Sequence, residues 1–231
     1  LLRDAGAPGA QRAAAIAGVQ RAAGNAVVER ALVRCSCEKW EQISREISTP
    51  VGDQARIRKD GSAILTVANV SVIVKPDATS RNRKMRKGAK TTFRLFWKRH
   101  RARFRAGALF AFTPPAITVT IQTTYGPGVD PASQSAYGKG TTDEDKQSGH
   151  TTLSYHEGSH GLDYIQYLQD NPPRMEVELG MARKDFNKAV EAFYTLMKSY
   201  AASMRKFSER RTDCVGTTID QAGYTKEPVC Q

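Results

Sequence analysis

Thr152-Leu153-Ser154-Tyr155-His156-Glu157-Gly158-Ser159-His160-Gly161-Leu162-Asp163-Tyr164 contains the pattern H-E-x-x-H, and how it is read decides the fold. The apolar spacing around it predicts a helix from about Ser148 or Thr151 to Asn171, with Ser148 a candidate N-cap and Pro172-Pro173 as the stop. Residues i and i+4 of a helix project from one face a turn apart, so His156 and His160 can share one zinc ion. Glu157 then stands beside the open coordination position, where it can act as a general base. Half of the chain's 4 histidines fall in this motif. A shuffled chain of the same composition would produce it about 0.003 times, so coincidence is a poor explanation. The chemistry expected is polarisation of a peptide carbonyl by Zn2+ and attack by a water that Glu157 deprotonates. Tyr155 faces elsewhere on the helix and reads as packing.

Outward from this helix the pattern is mixed. A second, longer helix is expected from about Glu176 to Phe207, because Phe186, Val190, Phe193, Met197, Tyr200, Met204 and Phe207 recur at three- and four-residue steps and mark one buried face. Upstream, Ala63-Ile64-Leu65-Thr66-Val67 and Val70-Ser71-Val72-Ile73-Val74 are β-branched and bounded by Asp60-Gly61 and Pro76-Asp77, which predicts strands. Residues 99–105 and 117–121 alternate with period two and predict further strands, while the glycine-rich residues 126–149 predict a long loop. The fold class expected is α+β: a small β-sheet, then the H-E-x-x-H helix, then a long C-terminal amphipathic helix.

Composition excludes several classes. At 231 residues with 40% hydrophobic and 25% charged residues, the chain can bury a core, and no apolar run reaches the roughly 18–20 residues of a membrane-spanning helix. The net charge of +12 is local, since Arg81 to Arg105 alone carry twelve cations and no acidic residue lies between Asp77 and Asp130. Three readings of this stretch stand: a solvated strand face, a surface for an acidic peptide or anionic membrane, and, with Phe93, Phe96, Trp97 and Phe104 interleaved, a nucleic-acid contact. No nucleic-acid-binding signature accompanies it, so nucleic acid is the least favoured partner.

A catalytic zinc needs a third protein ligand. Gly216-Thr217-Thr218-Ile219-Asp220-Gln221-Ala222-Gly223-Tyr224 resembles the G-T-x-x-D-x-x-Y-G signature of aspzincins, the deuterolysin-like zinc endopeptidases. The resemblance implies a zincin-like fold with His156, His160 and Asp220 on the metal, Glu157 as base and Tyr224 supporting the carbonyl oxyanion. Two departures are evident: Gly223 and Tyr224 are transposed, and sixty residues separate His160 from Asp220. Rival ligands are Glu176, Glu178 and His150, and Asp163 reads as a group that orients a ligand or forms a salt bridge.

Val19-Gln20-Arg21-Ala22-Ala23-Gly24-Asn25-Ala26-Val27-Val28-Glu29-Arg30-Ala31-Leu32, followed by Cys35-Ser36-Cys37, resembles the leader on cargo and toxin proteins of bacterial extracellular contractile injection systems. That implies a helical leader over 1–37, a zincin-like metallopeptidase domain over 38–231, and an injection system as carrier. Four cysteines fit two long-range bridges tying Cys35 and Cys37 to Cys214 and Cys230, or a bridge between Cys214 and Cys230; a four-thiolate zinc is the rival reading. Disulfides would imply a secreted protein or one delivered into a target cell. The function expected is therefore a bacterial zinc endopeptidase acting as a toxin or effector on a protein or peptide substrate. The alternative is a non-catalytic basic interaction module with a structural or vestigial metal site.

Overall fold

β8, Ile117–Tyr125, is the strand on which the sheet is built. The computed structural model describes residues 47–85, 88–225 and 228–230, all within the second of the chain's two units, Arg45–Gln231. The leader-like residues 1–37, with Cys35 and Cys37, lie outside the described residues. Every second side chain of β8 is buried, Ile117, Val119, Ile121, Thr123 and Tyr125, while the threonines and glutamine between them are half-exposed. That period-two pattern is what one covered face requires.

β5, Ala89–Trp97, runs antiparallel along the whole of one edge of β8. The other edge is shared in succession by β3, Val70–Val74, and β4, Ala78–Thr79, both parallel to β8. β2, Ala63–Val67, and the two-residue β1, Arg56–Ile57, extend the sheet beyond β3. A separate hairpin, β6 Arg101–Arg105 and β7 Ala108–Thr113, turns at Ala106-Gly107, both at positive φ. The strands expected at 63–67, 70–74 and 117–121 are present; β5 and β7 were not anticipated, their alternation being blurred by Thr and Ala.

Helix α1, Asp143–Ser148, occupies the end of the expected loop. Thr142 caps it with three acids in its first turn, and Gly149 ends it in the left-handed region at φ 74. Helix α2, Leu153–Asp170, therefore starts later than Ser148, and Thr152 is its N-cap, accepting from the Tyr155 N–H at 3.2 Å. Helix α3, Arg183–Ser208, starts seven residues after the expected Glu176. The backbone just before it is committed elsewhere: Gly180 and Met181 exchange hydrogen bonds with Leu109 of β7, and Gly180 sits at φ 89. No helix among the described residues is long and apolar enough to cross a membrane.

The stripe on α3 is core as expected, with Phe186, Phe193, Met197, Tyr200 and Met204 all buried. Tyr200 and Phe207 meet Tyr167 of α2 edge-on, at ring distances of 5.2 and 5.4 Å. Each such fully buried side chain contributes roughly 1.5–3 kcal/mol from burial, which holds the two helices side by side. Against the sheet, Phe93 of β5 meets Tyr164 of α2 at 4.7 Å.

The other side of α2 is held even closer. Residues 47–50 cross it so tightly that a Cβ on Gly158 would lie 2.2 Å from the Ser48 carbonyl oxygen, and one on Gly161 2.0 Å from Thr49 Oγ1. Ser48 is anchored in turn: its N–H and hydroxyl donate to the Asp77 carboxylate, and the Tyr125 hydroxyl, 2.6 Å away, donates to Ser48 Oγ. Gly158→Ala is accordingly expected to cost about 1–3 kcal/mol, because the clash is with backbone that cannot swing aside. Urea unfolding would measure it, and an unchanged midpoint would contradict this packing.

Candidate metal centre

Thr152 starts α2 so that His156 and Glu157 fall in its first turns, under the sheet. His156 is 1% exposed and Glu157 4%. Thr91 of β5 donates its hydroxyl to the Glu157 carbonyl at 2.9 Å and receives one from Thr123 at 2.8 Å, tying this turn of the helix to β5 and β8. His160 lies one turn on. Its ring centroid is 5.1 Å from that of His156.

The third member of the group comes from beyond α3. The helix passes into a single π-helical turn, Glu209–Asp213, and this turn brings Asp213 Oδ1 to 3.3 Å from His156 Nε2 and 3.1 Å from His160 Nε2. Such turns concentrate at functional sites. His156, His160 and Asp213 form a group whose ligand atoms all lie within 4.8 Å of one another, and that could hold a metal ion. For a tetrahedral ion with bonds of about 2.0–2.1 Å, neighbouring ligand atoms stand about 3.3 Å apart, close to the separations found here.

Hydrogen bonding sets the imidazoles for that role. His156 Nδ1 is 3.1 Å from the Lys139 carbonyl, which only accepts, so Nδ1 carries the proton and Nε2 presents a lone pair. His160 Nδ1 is 2.8 Å from Ser208 Oγ. Among the described residues, His156 Nε2, Asp213 Oδ1 and Glu157 Oε2 are buried with no hydrogen-bond partner. Three such atoms together would be costly in a finished core, and a cation among them removes the cost. Burial pushes the Asp213 carboxyl up, yet the two facing imidazoles more than offset it and hold it at about 2. For His160 burial works against the charged form, but Asp213, Glu157 and Asp163 raise its pKa overall. Carboxylates thus surround His160 and favour a positive charge there.

Asp163 explains how Asp213 is aimed. Buried beneath the π turn, it accepts from Arg211 Nε at 2.9 Å and from Thr212 Oγ1 at 2.7 Å. It orients a neighbour of the donor set and pairs with Arg211, as its position in the sequence implied.

Asp220, the third ligand implied by the aspzincin resemblance, is not in this group. Its carboxylate accepts from the N–H groups of Val229 and Cys230 and from Thr225 Oγ1, at 2.8 to 3.1 Å, so it closes the C-terminal loop instead. Those backbone N–H bonds hold its pKa low. Tyr224 is 60% exposed and reaches the centre through Tyr137, whose ring lies 5.1 Å from it and 4.9 Å from His156. Glu176 and Glu178 are exposed on the segment before α3, and His150 stacks on Tyr155 at 4.8 Å, outside the donor group. Tyr155 also donates to Asp145.

Sequence reasoning missed Asp213 and Tyr137. For Asp213 the sequence carries no signal: Ser208 and Thr212 continue the buried face of α3 past Phe207, but both are polar, and their burial belongs to the tertiary structure. For Tyr137 there was none, because its place depends on the loop's path. Gly138 beside it sits at φ +66, where a Cβ would fall 2.2 Å from the Thr212 carbonyl oxygen and 2.9 Å from His156 Cε1.

Cys214, next after Asp213, is bridged to Cys230, which realises the short-range option of the two pairings. Closing a loop of this length stabilises by about 3 kcal/mol in the chain-entropy model. Reduction is expected to lower thermal stability and to loosen metal binding together, since the bridged loop also holds Asp213, through the Ile219 N–H to its carbonyl at 3.0 Å. Parallel melting curves and chelator titrations with and without reductant would check it; unchanged metal affinity after complete reduction would separate the bridge from the site.

His160, Glu157, Asp213, Tyr137 and Arg205 line a cleft of about 400 Å³ together with the first residues of β5, Thr91 among them. Compared with known protein families, characterised proteins and solved structures, the chain finds no match.

Proposed function

We propose that this protein is a zinc-dependent endopeptidase of zincin type, with His156, His160 and Asp213 holding the metal and Glu157 as general base. One observation carries the reading: three donors and a carboxylate oxygen without a partner converge at the wall of an open cleft. A structural zinc site is closed by four protein ligands, whereas three donors beside a cleft leave a position for substrate. A Zn2+ bound there would supply Lewis acidity to a carbonyl and to a water molecule.

The chain's own groups do the rest. Glu157 Oε2 takes a proton from the attacking water and returns it to the leaving amine nitrogen. Tyr137, held against His156 and lining the cleft, donates its O–H to the carbonyl oxygen as that oxygen gains charge, the part Tyr224 is too exposed to play. The His156 Nδ1 bond to Lys139 and the His160 Nδ1 bond to Ser208 keep the rings from turning. The disulfide, with the leader-like residues, supports action outside the producing cell, as a secreted or injected effector.

The experiment is cleavage of casein and of a quenched peptide library by the chain after loading with zinc, and again after chelation. Chelator-sensitive cleavage at peptide bonds is expected. Stoichiometric zinc binding with no cleavage across the library would leave the basic interaction module as the reading.

A further inference from the structure

β5 carries a row of positive charge along a strand edge beside the cleft. Among the described residues it pairs with β8 alone, so its far edge has no described partner strand, and there the Thr91 carbonyl accepts from the Tyr164 hydroxyl of α2 at 3.4 Å, which leaves the edge open to either side of that bond. Its register against the site is set by Thr91, whose hydroxyl reaches the Glu157 carbonyl. Inward, Thr91 and Phe93 face α2; outward, Lys90, Thr92, Arg94 and Phe96 are exposed, Phe96 by 60%. No acidic residue occurs from 78 to 129, and no ion pair involves Lys90 or Arg94 among the described residues.

Resting on the reading of the centre as a peptidase site, we infer that the cleft selects an extended acidic peptide laid along the free edge of β5. A strand edge offers backbone N–H and C=O groups that match a peptide backbone, and successive peptide side chains then alternate between the two faces. Peptide residues on the outward face meet Lys90, next to Thr91 and so near the scissile bond, and then Arg94, about 13 Å along at about 3.3 Å per residue. Arg205, also on the lining, stands against Glu209 there and leaves Lys90 and Arg94 as the selecting pair. The neighbouring anions do not cancel this preference: Asp213 belongs to the donor set and Glu157 is buried, which leaves Glu209 as the opposing charge on the lining. A peptide satisfies both the edge and the cations, whereas a single-stranded nucleic acid would satisfy only the cations.

The test uses the zinc-loaded Glu157→Gln chain, which binds without cutting, and three fluorescein-labelled peptides of one length, rich in Glu, Gln or Lys, together with a labelled single-stranded oligonucleotide. Anisotropy should show the Glu peptide binding about ten-fold tighter than the Gln peptide, from two- to five-fold per charge pair, with the advantage lost at high salt. Lys90→Gln/Arg94→Gln should abolish the preference, and Lys90→Glu/Arg94→Glu should transfer it to the Lys peptide. Equal affinities, a preference that survives both double variants, or tighter binding of the oligonucleotide than of the Glu peptide would each overturn the inference. Cleavage of the same peptides by the unaltered chain keeps the two claims apart. Acid-selective binding without any cleavage overturns the peptidase reading and leaves the acidic-peptide surface standing, whereas cleavage without selectivity does the reverse.

Discussion

Asp213→Ala is expected to lower zinc affinity by at least about 100-fold, while Asp220→Ala changes it less than about three-fold. The expectation follows from position. Asp213 Oδ1 is buried between both imidazole Nε2 atoms, and removing it leaves two neutral donors, too few to outcompete water for the ion. Asp220 spends its carboxylate on the Val229 and Cys230 amides, so its loss should appear as a looser C-terminal loop. Competition titration against a chromophoric chelator measures both affinities. The opposite order would return the third ligand to Asp220 and mean that the π turn rearranges on metal binding.

The second large effect is on catalysis. Glu157→Gln keeps the shape of the side chain but cannot take a proton, so hydrolysis should fall by about 10²–10⁴-fold with zinc content unchanged. Tyr137→Phe should fall between this variant and the unaltered protein, lowering kcat more than it raises KM, since its O–H acts on charge that develops only during the reaction. Zinc content by elemental analysis, beside kcat and KM on one quenched peptide, separates these outcomes. A Glu157→Gln protein that cleaves at the original rate would remove Glu157 from the chemistry altogether.

The part of the fold legible in the sequence is the part whose geometry is local. Two histidines four residues apart must share a helix face wherever that helix is placed, and the stripe from Phe186 to Phe207 must be buried against something. The β-branched run at 70–74 and the alternation at 117–121 likewise mark strands, the second of which runs on to Tyr125. The start of α3 escaped this reasoning because Gly180 and Met181 are held by Leu109, 71 and 72 residues upstream, and no periodicity within the helix records that contact.

The ligand set divides in the same way. His156, Glu157 and His160 follow from the residue types and a spacing of four on one helix, so the sequence by itself determined them as a unit. The third carboxylate was decided by tertiary structure. It arrives from the far end of another helix, on a turn aimed by the hydrogen bonds of Asp163 to Arg211 and Thr212 and followed at once by a disulfide. Asp213 and Asp220 are equally plausible as residue types, and seven positions apart in the chain. Only the packing of α3 against α2 puts one between the imidazoles while the backbone amides near Cys230 take up the other.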